Sequence, residues 1–142
     1  MFKVFASPQA LAQQLSQEIY AALAAQPKLT LGLATGSTML PLYQQLVKLH
    51  LAQPLNLSQV TTFNLDEYLG LGPDHPQSYH YFMQEHLFSQ LPFNPSLTHL
   101  PYGLCTDIPA QCAEYQAKIA AAGGIDIQLL GIGRNGHIGF NE

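Results

Sequence analysis

The chain has 142 residues, 47% of them apolar, and a formal net charge of -4 with five Lys and Arg in all. That length predicts a single domain over residues 1–142 with a core of its own, needing neither disulfides nor a structural metal. Lys3, Lys28, Lys48, Lys118 and Arg134 make no basic stripe, which argues against nucleic acid and against an anionic membrane surface as partners.

In chain order, residues 3–6 read as a short first strand. Ser7-Pro8 follows as an N-cap with proline at the first helical position. Leu11, Leu15, Ile19, Ala22 and Leu23 then recur at helical spacing until Pro27 ends the run. Residues 29–34 form a short apolar run, as in a strand covered on both faces of a parallel sheet. Thr35-Gly36-Ser37-Thr38 leads into a helix with Leu42, Leu46 and Leu49 on one face. Residues 59–65 are rich in β-formers and deliver Asp66 and Glu67.

Residues 70–76 read as loop and 78–90 as a helix with Tyr79, Phe82, Met83, His86 and Leu87 inward. A short strand is expected at 97–100. Ile108, Cys112, Tyr115, Ile119 and Ala122 make the cleanest amphipathic pattern in the chain, placing Cys112 on its buried stripe. Gly123-Gly124 stops that helix, and a buried strand is expected at 125–130. The alternation predicts an α/β fold with a largely parallel sheet. The N-terminus lacks an apolar core of signal-peptide length and no stretch approaches a membrane span, so a cytoplasmic, soluble protein is the expectation.

In parallel sheets, ligands bind outside the carboxyl ends of the strands. Three polar segments fall at such ends: residues 35–38, Asp66-Glu67, and residues 131–142. Thr35, Gly36, Ser37 and Thr38 can cradle an anion on backbone N–H groups and hydroxyls at a helix start, although an ordinary capped turn explains them as well. Asp66 and Glu67 are neighbours, so an extended backbone sends one of them into a given site and the other away. A partly buried carboxylate with a raised pKa can take a proton from carbon beside a carbonyl.

The last segment, G-I-G-R-N-G-H-I-G-F-N-E, spells the dinucleotide fingerprint Gly131-x-Gly133-x-x-Gly136. It lacks the following helix and the downstream acid that this fingerprint needs. His137 reads three ways: a satisfied core residue, a surface residue, or an acid–base group for a sugar hydroxyl with Glu142 to orient it. None of His75, His80, His86, His99 and His137 is paired at the i, i+4 spacing of a helical zinc site, so no metal is expected.

T-G-S-T after a strand, F-N-L-D-E-Y-L-G-L at 63–71, H-P-Q-S-Y-H-Y-F-M at 75–83 and the closing G-I-G-R-N-G-H-I-G-F-N-E together resemble glucosamine-6-phosphate deaminase. The resemblance runs in register through the whole chain and covers about the first half of a family member. It implies a Rossmann-like three-layer α/β sandwich and an enzyme with no cofactor. The implied reaction converts glucosamine 6-phosphate and water to fructose 6-phosphate and ammonia, in amino sugar catabolism. It also implies roles: His137 opens the sugar ring with help from Asn135 and Glu142, Asp66 moves the C2 proton, and residues 35–38 hold the phosphate.

Some family members have Asp where Asn135 stands, and Pro41 comes two residues later than the family's usual proline. By the same resemblance, further phosphate-gripping cations and any homo-oligomer contacts belong to the half beyond residue 142. A polypeptide of these residues alone is therefore expected to be inactive. The related 6-phosphogluconolactonases, hydrolases of the same fold, and a non-catalytic sugar-phosphate-binding module are the alternatives.

Overall fold

Ser7 starts the first helix as its sequence suggests: its hydroxyl accepts the Ala10 N–H at 3.1 Å, and proline occupies the first turn. In this computed structural model, which describes residues 1–141, that helix is α1, Pro8–Ala25. It is followed by β1 (Thr30–Leu33), a 3-10 turn (Ser37–Met39), α2 (Leu40–Ala52) and β2 (Thr61–Asn64). Then come α3 (Tyr79–Met83), which runs on as a π-helical turn at Gln84–Phe88, β3 (Thr98–His99), α4 (Ile108–Ala121) and β4 (Ile127–Gln128). Residues 3–6 are not a strand. The segment lies by α1 instead, with Lys3 Nζ 2.7 Å from Glu18, and Phe2 and Val4 stand in solvent.

The four strands form one sheet in the order β3-β2-β1-β4, with every pair parallel. Register alternation divides the side chains between two faces. Leu31 and Leu33 of β1 stand level with Thr62 and Asn64 of β2, whereas Gly32 stands level with Phe63 and Gln128. On the first face the strands meet α1, α2 and the α3 segment in one cluster that includes Ile19, Leu23, Leu31, Leu33, Leu42, Tyr43, Met83 and Leu87. On the second face Phe63 stacks on His99 with centroids 4.8 Å apart and meets Tyr115 of α4 edge-on. Helices therefore cover both faces, the three-layer arrangement expected.

The inward stripe of α1 is Ala12, Ser16, Ile19, Tyr20 and Leu23, so Leu11 faces out. Spacing alone was ambiguous because the helix is apolar or small on more than one side, and contact with α2 decides its rotation. The larger correction concerns α4. Its bounds match the pattern, yet none of its residues is buried, and Cys112 is exposed. The helix is anchored by Tyr115, whose hydroxyl donates to the carbonyls of Asn64 (2.6 Å) and His99 (3.0 Å). Of its apolar stripe, Ile108 and Cys112 are exposed and Ile119 is only partly covered. The final strand is also shorter than expected: Ile127–Gln128 pairs only with β1, and Leu130 is exposed.

Tyr43 links this core to the polar edge. It is fully buried, and its hydroxyl donates to the Ala34 carbonyl while accepting the Ala34 N–H at 3.2 Å. Ala34 is the last residue before the Thr35 turn. Tyr43→Phe leaves two backbone groups without their partner, at a cost of about 1–3 kcal/mol. The expected reading is a lower urea midpoint with an unchanged denaturant slope.

Candidate active site

Each parallel strand ends at the same edge, and the chain leaves that edge through polar turns. After β1, Gly36 adopts φ 102°, a conformation that residues with a side chain rarely hold. This bend starts the 3-10 turn, with the Met39 N–H bonded to the Gly36 carbonyl at 3.0 Å, and Pro41 sits in the first turn of α2. The proline displaced from its usual place thus still begins the helix. The first N–H groups of such a turn have no partner within it and point outward.

After β2, Asp66 and Glu67 diverge. Asp66 is half-buried and faces a cleft of about 230 Å³. Glu67 turns to the start of α3, its side chain 2% exposed. Thr35, Gly36, Ser37 and Thr38 line the same cleft, as do Gly131, Gly133, His137 and Gly139. Among the described residues, no Lys or Arg lines it.

The closing loop is shaped by glycine. A Cβ on Gly133 would collide with the His137 ring, and one on Gly139 would lie 3.2 Å from Asp66 Oδ2. The loop backbone therefore passes directly against the Asp66 carboxylate. Asn135 lines no part of the cleft. Its Oδ1 accepts the His137 N–H at 3.2 Å and is bonded to ring Nδ1, which turns Nε2 away from Asn135. Glu142 lies outside the described residues. Of the eight residues singled out from sequence, six line the cleft and Asn135 stands behind His137.

Burial, and then the charge of Glu67, push the Asp66 carboxyl above the usual carboxylate range. Glu67 goes the other way: burial would raise it, but hydrogen bonds from the Tyr79, Tyr68 and His80 N–H groups and the His80 ring outweigh that and hold it low. A raised carboxyl beside a lowered one divides a potential base from a fixed anion.

Tyr79 was missed as a site residue. It lines the cleft, with its hydroxyl beside Thr35 and 3.3 Å from the Tyr68 hydroxyl. Burial, then the Tyr68 hydrogen bond, push its phenol up, so it stays neutral. In sequence Tyr79 reads as an inward helical aromatic. The only pointer was Ser78, whose capping of the Tyr81 N–H at 3.1 Å puts Tyr79 at the helix mouth. Tyr68, Tyr79 and Phe140 also form a three-ring cluster, with centroids 4.8 to 5.6 Å apart, that joins the closing loop to the Asp66 segment.

A parallel α/β domain with hydroxyls, a carboxylate and an imidazole at the carboxyl edge of its sheet defines a class of small-metabolite folds. Residues 5–139 match the family described as glucosamine-6-phosphate isomerases/6-phosphogluconolactonase, and the chain belongs to that family. A glucosamine-6-phosphate deaminase of Shewanella loihica is 60% identical over 116 residues, 82% of this chain and 43% of its own length. One from Geobacillus sp. is 52% identical over 132 residues, 93% of this chain and 53% of its own. The solved structure of a monomeric glucosamine-6-phosphate deaminase superposes with a TM-score of 0.92 at 43% identity, covering 96% of this chain and 56% of that one. A 6-phosphogluconolactonase from Thermotoga maritima shares the fold at a TM-score of 0.76 and 23% identity, covering 94% of this chain and 59% of its own. The chain spans about half the length of the curated relatives it matches.

Proposed function

We propose that these residues carry the proton-transfer half of an isomerising deaminase that converts glucosamine 6-phosphate and water to fructose 6-phosphate and ammonia. The observation that carries this reading is the meeting of Asp66 and His137 in one cleft with the Thr35 turn. His137, oriented by Asn135, moves the proton that opens the pyranose ring, and Glu142 supports it. Asp66 then takes the C2 proton from the open chain, giving an enolamine, and returns a proton to C1. The resulting C2 imine adds water and expels ammonia, leaving the ketose phosphate. Residues 35–38 receive the phosphate through N–H groups and hydroxyls, with the helix dipole behind them.

The cleft provides this chemistry without a metal or cofactor step: a half-buried base with a raised pKa, an imidazole held in one orientation, and neutral anion-binding groups. Nothing in the reading requires nucleic acid or a membrane. Among the described residues, no helix is long and apolar enough to cross one. The reading places the protein in the cytoplasm, where phosphorylated sugars are found, and allows assembly into a homo-oligomer.

The full-length protein is expected to release ammonia from glucosamine 6-phosphate with a kcat on the order of 1–10³ s⁻¹. A polypeptide of residues 1–142 alone is expected to release none at such rates, because no Lys or Arg among the described residues lines its cleft. Ammonia is read by a coupled assay, and fructose 6-phosphate by a second. Hydrolysis of 6-phosphogluconolactone in place of ammonia release would move the protein to the lactonases. Tight sugar-phosphate binding with no turnover of either compound would make it a sensor.

A further inference from the structure

We propose that Glu67 is a positioning residue, whose buried carboxylate ties the exit of β2 to the first turn of α3 and so sets Asp66 and Tyr79 on the wall of the cleft. The proposal rests on the deaminase reading, in which Asp66 is the base. Glu67 Oε1 accepts the N–H groups of Tyr68 and Tyr79, both at 2.9 Å. Its Oε2 accepts the His80 N–H at 3.0 Å and lies 2.8 Å from His80 Nδ1. Four donors on one side chain, drawn from both ends of a loop of eleven residues, close that loop like a clasp. A buried carboxylate is costly unless hydrogen-bonded in this way.

The consequence for the site is geometric first. Residue 67 cannot turn without moving residue 66, and the N–H it holds belongs to Tyr79 itself. Asp66 and Tyr79 thus enter the cleft from two segments whose separation Glu67 sets. Errors of about 1 Å at reacting groups can cost roughly a hundredfold in rate.

The second consequence is electrostatic. Glu67 is held ionised by its donors, and its charge adds to burial in keeping Asp66 basic. Among the described residues, the other titratable groups on the cleft are Tyr79 from α3 and His137 from the closing loop, and the Thr35 turn contributes hydroxyls alone. Tyr79 stays neutral, so among the described residues Glu67 supplies the fixed negative charge acting on Asp66.

Two variants of the full-length protein separate shape from charge. Glu67→Gln keeps the length but removes the charge and sets an amide NH2 against two of the four donors, so the acid limb of the kcat/KM profile should move down, with some loss of kcat beside it. Glu67→Asp keeps the charge but is one methylene short of its four donors. It should lower kcat by about 10–100-fold with the acid limb in place and KM within a few-fold.

Titration of the Asp66 carboxyl by carbon NMR in the ligand-free protein reads the charge effect without turnover, and its midpoint should fall in Glu67→Gln. Should that variant not fold, His80→Leu at a partly exposed position removes one donor and should cost kcat several-fold with an unmoved acid limb. An unmoved Asp66 midpoint in Glu67→Gln, or wild-type kcat in Glu67→Asp or His80→Leu, overturns the proposal. Absence of ammonia release by the wild-type protein would instead sink the activity reading and leave the NMR comparison to decide the electrostatic role of Glu67.

Discussion

Asp66→Asn in the full-length protein is expected to lower kcat for glucosamine 6-phosphate by about 10²–10⁴-fold, the share that a positioned general base contributes. Exchange of the C2 hydrogen with solvent deuterium should fall by the same factor. Phosphate-dependent binding should stay within a few-fold, because the Thr35 turn is a separate segment. The amide is close in size to the carboxylate and fits beside the Gly139 backbone, so the fold has little reason to change. What it lacks is basicity.

A pH profile gives an independent check on Asp66. The base must be ionised to act, and burial together with Glu67 raises its pKa above the ordinary carboxylate range. Activity should therefore be lost, as pH falls, at a higher pH than a solvated aspartate would give. Deuterium exchange at the wild-type rate in Asp66→Asn would remove this residue from proton transfer.

The reason Asp66 could be read from sequence while Glu67 could not is instructive. Strand alternation says that two adjacent carboxylates diverge, and the turn after β2 places one at the sheet edge. It does not say which donors wait for the other. Those donors lie at residues 79 and 80, and only the folded loop brings them to Glu67. The cap at Ser7 and the glycine turn were legible because each depends on a few consecutive residues, and the parallel sheet because strand and helix alternate along the chain. The rotation of α1 and the exposure of α4 depend on what else packs there. Pattern showed that Cys112 shares a stripe with Tyr115, but only Tyr115 reaches the sheet. The π-helical turn at Gln84–Phe88 is likewise invisible to a 3.6-residue period, which continues through it with Met83 and Leu87 buried.

His137→Gln should separate ring opening from the steps after it. In the structure His137 sits on the cleft wall with Nδ1 tied to Asn135, which orients the ring and leaves Nε2 as the nitrogen to exchange a proton. Glutamine can reproduce a hydrogen bond but cannot carry a proton between O1 and O5 of a pyranose near neutral pH. Turnover of the cyclic substrate should fall by about 10²-fold or more. Turnover of an open-chain analogue that bypasses ring opening should fall by much less, because Asp66 is untouched.

Asn135→Ala provides the graded companion to that test. It leaves the imidazole but removes the atom that orients it, so its loss on the cyclic substrate should lie between wild type and His137→Gln. Single-turnover kinetics with each substrate form measures the ratio directly. Equal losses on the cyclic and open-chain compounds would make His137 a structural element of the Gly133–Gly139 turn rather than its proton carrier.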